Sequence, residues 1–140
     1  MNKITKILLA ALAVTVFCAI VGAVTCGGVF NWVYQLEPTN VWQPMEGAPP
    51  MAYFLGLFLL NIIFAIVYAL LHKGLPGDKN VIKGLVYGLV IWAVGMLPGM
   101  FATYIFMTVA PTVVVYWTIM GLITYPLEGL IVALIYGNEG

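Results

Sequence analysis

The stretch VIKGLVYGLVIWAVGMLPGMFATYIFMTV, residues 81–109, decides the fold of this chain. Its single charged residue is Lys83, and no further charge follows until Glu128. An apolar run of this length exceeds the roughly 20 residues that cross a bilayer as a helix. Pro98 has no N–H group to bond the carbonyl of Val94, so it favours a bend. The stretch therefore predicts a kinked membrane-spanning helix.

Four glycines recur along this predicted helix at positions 84, 88, 95 and 99. At about 100° per residue they fall within roughly 60° of one another, which predicts one stripe of small residues. Gly84 with Gly88, and Gly95 with Gly99, have the GxxxG spacing that lets helix backbones approach closely in lipid. The stripe fits packing within the chain or a homo-oligomer face. In either case we expect leucine at position 88 or 95 to disrupt packing.

The composition is that of an integral membrane protein. Of 140 residues, 64% are hydrophobic and 7% charged, whereas soluble domains carry about 25% charged residues. We predict an all-α integral membrane protein in which residues 1–140 form a single domain of four antiparallel transmembrane helices. The spans are about 6–31, 51–71, 81–108 and 112–136, with an external loop at 32–50. The first apolar stretch exceeds the ~7–15 residues of a signal-peptide core, so we expect an uncleaved span.

The lysines predict the orientation. All five basic residues are lysines, and with four spans they fall on one side of the membrane: Lys3, Lys6, Lys73, Lys79 and Lys83. The positive-inside rule makes that side cytoplasmic. Both termini are then cytoplasmic in a cell (inner) membrane. The external loop carries Glu37 and Glu46, three aromatic residues and several prolines, and fits either a packed interfacial connector or a lid or partner-binding surface.

The chain does not contain the residues that several kinds of catalytic and cofactor site require. The chain contains no serine and no arginine, one histidine, His72, and one aspartate, Asp78. These counts exclude a serine–histidine hydrolase, an aspartyl dyad and a bis-histidine haem held by one chain. A net charge of zero offers no basic patch for nucleic acid. We predict no enzymatic activity, no cofactor, no metal site and no nucleic-acid partner, and we interpret His72 as a solvated or capping residue.

The two cysteines lie on the first predicted span. Cys18 and Cys26 are eight residues apart, which is roughly 12 Å along a helix axis. A disulfide needs Cα atoms within about 7 Å, so these two cannot pair within one helix. We interpret them as small packing residues rather than as redox or metal-binding groups.

Glu128 is a charged residue within a predicted span. It lies about eight residues before the end of the fourth span, hence roughly 12 Å into the bilayer. Such residues are costly and usually face the helix bundle or a water-filled cavity. Depth and helical spacing predict a buried polar layer with one or more members from each span: Thr15, Asn61, Trp92, Tyr125 and Glu128.

Three roles for Glu128 stay open. It can be protonated or hydrogen-bonded to Asn61 or Trp92, acting as interhelical glue. It can bind a proton, a cation or an amine-bearing solute during transport. It can pair with a residue of a partner subunit.

The predicted function follows from what the chain lacks and what it has in abundance. Without catalytic groups or a soluble domain, and with many packing glycines and aromatics, we expect an accessory or scaffold subunit of a membrane assembly. Its partners would be the lipid bilayer and other membrane subunits or a second copy. The alternative is a small carrier or channel working through Glu128. A cavity reaching Glu128 would favour the alternative, and a dry bundle would favour the subunit.

Overall fold

The computed structural model describes residues 1–43 and 47–137, so Glu46 of the predicted external loop lies outside it. Within this part of the chain the regular structure is all helical. The five α-helices are α1 (Lys3–Val24), α2 (Met51–Leu71), α3 (Asn80–Ile91), α4 (Leu97–Phe106) and α5 (Pro111–Tyr136). Two π-helical turns, Thr25–Val29 and Trp92–Met96, extend α1 and join α3 to α4. Two 3₁₀ turns occupy Asn31–Gln35 and His72–Gly74.

In the described part of the chain, four helical segments are long and apolar enough to cross a membrane. They are Lys3–Val29, Met51–Gly74, Asn80–Phe106 and Pro111–Tyr136. The prediction of an all-helical chain with four segments able to span a membrane is confirmed, and the observed ends lie within three residues of the predicted ones.

Helix ends follow local chemistry. The Asn2 side chain accepts a hydrogen bond from the Thr5 N–H at 2.8 Å and caps the start of α1. Pro111 occupies the first turn of α5, where its missing N–H is not needed. Gly137, at φ 72°, ends α5 in a backbone conformation that glycine adopts without strain. These three residues fix where the first and last spans begin or end.

The third span changes helical type just before Pro98, the residue at which the sequence predicted a bend. The π-helical turn Trp92–Met96 separates α3 from α4, and Pro98 lies in the first turn of α4. A π turn holds one extra residue, which rotates everything after it by roughly 100° about the helix axis. The two halves of this span therefore present different faces to the rest of the bundle.

Two buried clusters mark the two ends of the bundle. One contains Tyr68, Tyr87 and Tyr136 and lies where the lysine-bearing helix ends meet, so we call this the lysine end. The other packs Val33 and Val113 with Tyr34 and Trp42, and we call it the loop end. The Glu128 region lies between them.

α3 packs on α5 with backbone contact at two glycines. A Cβ atom added to Gly84 would lie 2.6 Å from the Gly129 carbonyl oxygen, and one added to Gly88 would overlap the backbone of Tyr125 and Pro126. Gly129 in turn has no room for a Cβ against Gly84. These glycines therefore let α3 and α5 of the same chain pack closely.

The glycine stripe is not continuous, unlike the predicted one. A Cβ atom added to Gly95 meets only Ile91 of its own helix, at 3.9 Å, and one added to Gly99 meets nothing within 4 Å. The rotation at the π turn Trp92–Met96 explains the difference, because the predicted stripe assumed a regular helix throughout.

Candidate binding site around Glu128

Glu128 is hydrogen-bonded to a cysteine. Its Oε1 atom accepts from the Cys18 thiol, with 2.9 Å between sulfur and oxygen. This contact joins α1 to α5 across 110 residues of sequence. The sequence pattern indicated a packing residue at Cys18 and did not predict this hydrogen bond. A signal was available, since Cys18 lies one helical turn beyond Thr15, which depth had placed in the polar layer.

The predicted polar layer is divided into separate hydrogen bonds. Asn61 donates from Nδ2 to Thr15 Oγ1 at 3.0 Å, and both residues are buried. Trp92 donates from Nε1 to the carbonyl oxygen of Thr118 at 3.0 Å. Among the described residues no hydrogen bond joins Glu128 to Asn61 or Trp92. This differs from the hypothesis that Glu128 holds helices together by bonding one of these two residues.

A cavity of about 240 Å³ lies between α1 and α5 and reaches the π turn Trp92–Met96. We call it the α1–α5 cavity. Glu128 and Cys18 line one end of it, and Cys26 and Tyr116 line the other. On α5 the lining positions 116, 120, 124 and 128 are four residues apart, which at 1.5 Å per residue gives an elongated space of roughly 18 Å.

A second cavity of about 380 Å³ lies between α2 and α3, and we call it the α2–α3 cavity. Asn61 and Tyr87 line it together with Tyr125, Glu128 and Cys18. The last three residues also line the α1–α5 cavity. The Glu128 carboxyl group therefore lies at the boundary between the two cavities, and Asn61 and Tyr125 of the predicted layer share one cavity with it.

Aromatic residues lie at the loop end of the α1–α5 cavity. Trp117 donates from Nε1 to the Tyr34 hydroxyl at 2.8 Å. The Cys26 sulfur lies 3.5 Å from the Tyr34 hydroxyl and 3.4 Å from that of Tyr116. Burial, followed by the hydrogen bond to Cys26, raises the pKa of Tyr34 above its usual range. Tyr34 therefore stays a neutral hydroxyl that can donate to the sulfur.

His72 is buried rather than solvated, contrary to one of its predicted roles. Its side chain is 8% exposed and stacks on the ring of Tyr68. The distance between its Nδ1 atom and the Ala69 carbonyl oxygen is 2.9 Å. The contact with Ala69, near the end of α2, fits the capping role. The site at Glu128 lies in another part of the bundle.

The chain matches no protein-family model, no curated protein and no solved structure. The class is therefore defined by the fold alone: within the described residues the chain has four helices long and apolar enough to span a membrane, and Glu128 lines two open cavities.

Proposed function

We propose that the protein is a small membrane carrier or channel that binds a proton, another cation or an amine-bearing solute at Glu128. The observation that carries the proposal is the position of the Glu128 carboxyl group where the α1–α5 and α2–α3 cavities meet. Ionisable residues within membrane spans are costly and mark ion and substrate pathways when they face cavities. Composition favoured an accessory subunit over a carrier, whereas the two cavities at Glu128 favour the carrier.

The hydrogen bonding around Glu128 supports cation binding over a purely structural role in joining helices. A carboxylate can accept about four hydrogen bonds, and a thiol is a weak donor. Among the described residues, Cys18 is the hydrogen-bond partner of Glu128. A single weak donor leaves most of the acceptor capacity of Glu128 available to a bound cation.

We further propose that the four spans are antiparallel, with both termini cytoplasmic in a cell membrane. Contacts between α1 and α5 run in opposite sequence directions, since Cys18 meets Glu128 while Cys26 meets Tyr116. The lysine positions favour a cytoplasmic lysine end. With both native cysteines replaced, Thr39→Cys should react with an impermeant thiol reagent from outside, and Lys79→Cys from inside alone. Labelling of both from one side would contradict this topology.

The test of the carrier is a flux measurement in reconstituted vesicles with pH-sensitive and cation-sensitive dyes. Glu128→Gln keeps the size of the side chain and one oxygen that can accept from Cys18, and it removes the charge. We expect a folded protein, judged by helical circular dichroism and gel filtration, that has lost flux. The matched control is Glu37→Gln, on an exposed carboxyl of the loop segment. Equal flux in wild type and Glu128→Gln would contradict the proposal.

A second candidate function is the accessory or scaffold subunit, and the open half of the glycine stripe favours it. Gly95 and Gly99 keep the close-approach spacing, and α5 does not cover them. Another membrane subunit or a second copy of the chain can use this face. Native mass spectrometry in mild detergent tests it: a stable complex lost in Gly99→Leu and kept in Leu89→Ala would support the subunit. A monomer in both would count against it.

A further inference from the structure

The α1–α5 cavity combines one carboxyl group with a long apolar wall. Of the described residues that line it, Glu128 alone carries a carboxyl or amino group, and it lies at one end of the roughly 18 Å space. The other lining side chains are mainly apolar and aromatic, among them Phe17, Val21, Tyr116 and Trp117. The space therefore suits a ligand that has a charge at one end and an apolar body behind it.

Polar groups at the loop end of this cavity are engaged by the chain itself. The Thr25 hydroxyl donates to the Val21 carbonyl oxygen at 2.6 Å, and Trp117 Nε1 donates to the Tyr34 hydroxyl at 2.8 Å. Groups that already have a partner compete weakly for a ligand. The Glu128 carboxyl, with one weak thiol donor, is therefore the main polar attraction in the cavity.

The middle of the cavity is left open by a glycine and bordered by flexible side chains. Gly22 lies one helical turn from Cys18 and one turn from Cys26, so it is halfway along the α1 wall. A Cβ atom added to Gly22 would meet nothing within 4 Å. Met96 and Met120 also line the cavity, and methionine adapts to irregular apolar shapes. An apolar body can therefore occupy this section.

The cavity is open to the surroundings along its side. Its lining residues Phe17, Met120 and Thr124 are half-buried rather than buried. In a chain whose helices span a membrane, the exposed part of a side chain at this depth meets lipid acyl chains. A ligand that partitions into the bilayer can therefore enter the cavity from the side.

We propose that the ligand of the α1–α5 cavity is an organic ammonium ion with an apolar body, which places its ammonium group at Glu128 and its body along the wall. This inference rests on the carrier function proposed above and assigns its substrate class. Charge complementarity supports it, because an ammonium ion paired with a carboxylate leaves no net charge within the span. Each CH₂ group of the body that is buried from water strengthens binding by about fourfold.

Bare cations use this cavity less fully than such a ligand does. The described residues hold no group of three or more His, Cys, Asp and Glu side chains suited to a metal, so a zinc-type or calcium-type site lacks its ligands here. A proton or methylammonium can bind the Glu128 carboxyl, but it leaves the apolar wall without a partner. An ammonium ion with an apolar body contacts both.

The deciding experiment separates the charge from the body, using full-length protein in phosphatidylcholine nanodiscs. Equilibrium dialysis with radiolabelled n-octylammonium measures binding above that of protein-free nanodiscs. Glu128→Gln removes the charge, and Gly22→Leu fills the middle of the cavity while the carboxyl stays. We expect each to weaken binding by about tenfold or more. Gly56→Leu is the matched control, because a Cβ atom at Gly56 also meets nothing within 4 Å and Gly56 lines neither cavity.

Matched ligands test the two parts of the site in the wild-type protein. n-Octanol has the same body without the charge, and methylammonium has the charge without the body. Each should displace n-octylammonium at least about tenfold less well than unlabelled n-octylammonium does. Displacement by n-octanol as effective as that by n-octylammonium would overturn the inference, since it would show that the carboxyl takes no part.

The outcomes separate this inference from the carrier function. Weaker n-octylammonium binding in Glu128→Gln and Gly22→Leu, with wild-type binding in Gly56→Leu, supports the inference. Equal binding in Gly22→Leu and Gly56→Leu overturns it. If Glu128→Gln then still abolishes the flux of protons or methylammonium, the carrier function stands with a small cation as its substrate. If n-octylammonium binding depends on both residues while Glu128→Gln changes no flux, the carrier function fails and the binding site remains.

Discussion

α5 has two faces that differ in packing. Towards α3 it makes backbone contact through Gly129, with Gly84 and Gly88 opposite, and no space remains for a single added carbon. Towards α1 it lines the α1–α5 cavity with Tyr116, Met120 and Glu128. A single helix can therefore be held in place by one face while its other face lines a cavity.

The neighbouring positions Glu128 and Gly129 show how the two faces are connected. Gly129 is buried against Gly84, while the next residue back contributes its carboxyl to both cavities. Backbone contact at Gly129 leaves α5 little freedom to slide or rotate. The tight face therefore determines where the carboxyl lies between the cavities.

The largest expected effect is at the tight face. Gly88→Leu would drive a side chain into the backbone of Tyr125 and Pro126, which cannot move aside as a side chain can. Overpacking of a buried site costs about 1–3 kcal/mol and sometimes more, and we expect about 3 kcal/mol of lost stability in SDS-unfolding titrations. Stability equal to wild type would show that α3 and α5 are not in contact.

A smaller difference should separate two glycines on the two faces of α5. In Gly129→Ala the added carbon meets the Gly84 backbone, whereas in Gly121→Ala it meets the Met96 sulfur, the end of a flexible side chain. We expect a loss of about 2 kcal/mol for Gly129→Ala and less than about 1 kcal/mol for Gly121→Ala. The same unfolding titration measures both, and equal losses would remove the distinction between the faces.

The hydrogen bond between α1 and α2 should contribute less than the tight face. Thr15→Val removes the hydroxyl that accepts a hydrogen bond from the Asn61 side chain, while valine keeps the shape of threonine. Interhelical hydrogen bonds in membranes contribute about 0.6 kcal/mol on average and up to about 1.7, so we expect a loss near 1 kcal/mol. If the loss exceeds that of Gly88→Leu, polar contacts rather than glycine contacts dominate the bundle.

The smallest effect should be at the open half of the stripe. Gly99→Leu adds a side chain where nothing lies within 4 Å, so we expect a change within about 0.5 kcal/mol for the isolated chain. Gly95→Leu should behave in the same way, which differs from the disruption expected from a continuous stripe. A loss comparable to that of Gly88→Leu would mean that α4 is covered as α3 is.

The sequence was informative where one residue type decides the outcome. Long apolar runs predicted the four helical segments, and the isolated charge at Glu128 drew attention to the site. The direction in which each side chain points around its helix axis was harder to predict from the sequence. Counting residues gives depth, but it does not say that Glu128 faces Cys18 rather than Asn61. The π turn Trp92–Met96 has no sequence signature strong enough to predict that Gly99 turns away.

The proposed carrier function requires that the Glu128 carboxyl faces a space that a cation can occupy. Dicyclohexylcarbodiimide, a lipophilic reagent for buried carboxyl groups, tests it most directly in vesicles, with the modified residue located by mass spectrometry. We expect modification at Glu128 and protection by at least one of Ag⁺, Na⁺ or methylammonium, and no modification in Glu128→Gln. Absence of modification at Glu128, or equal modification with and without each of these cations, would contradict the claim.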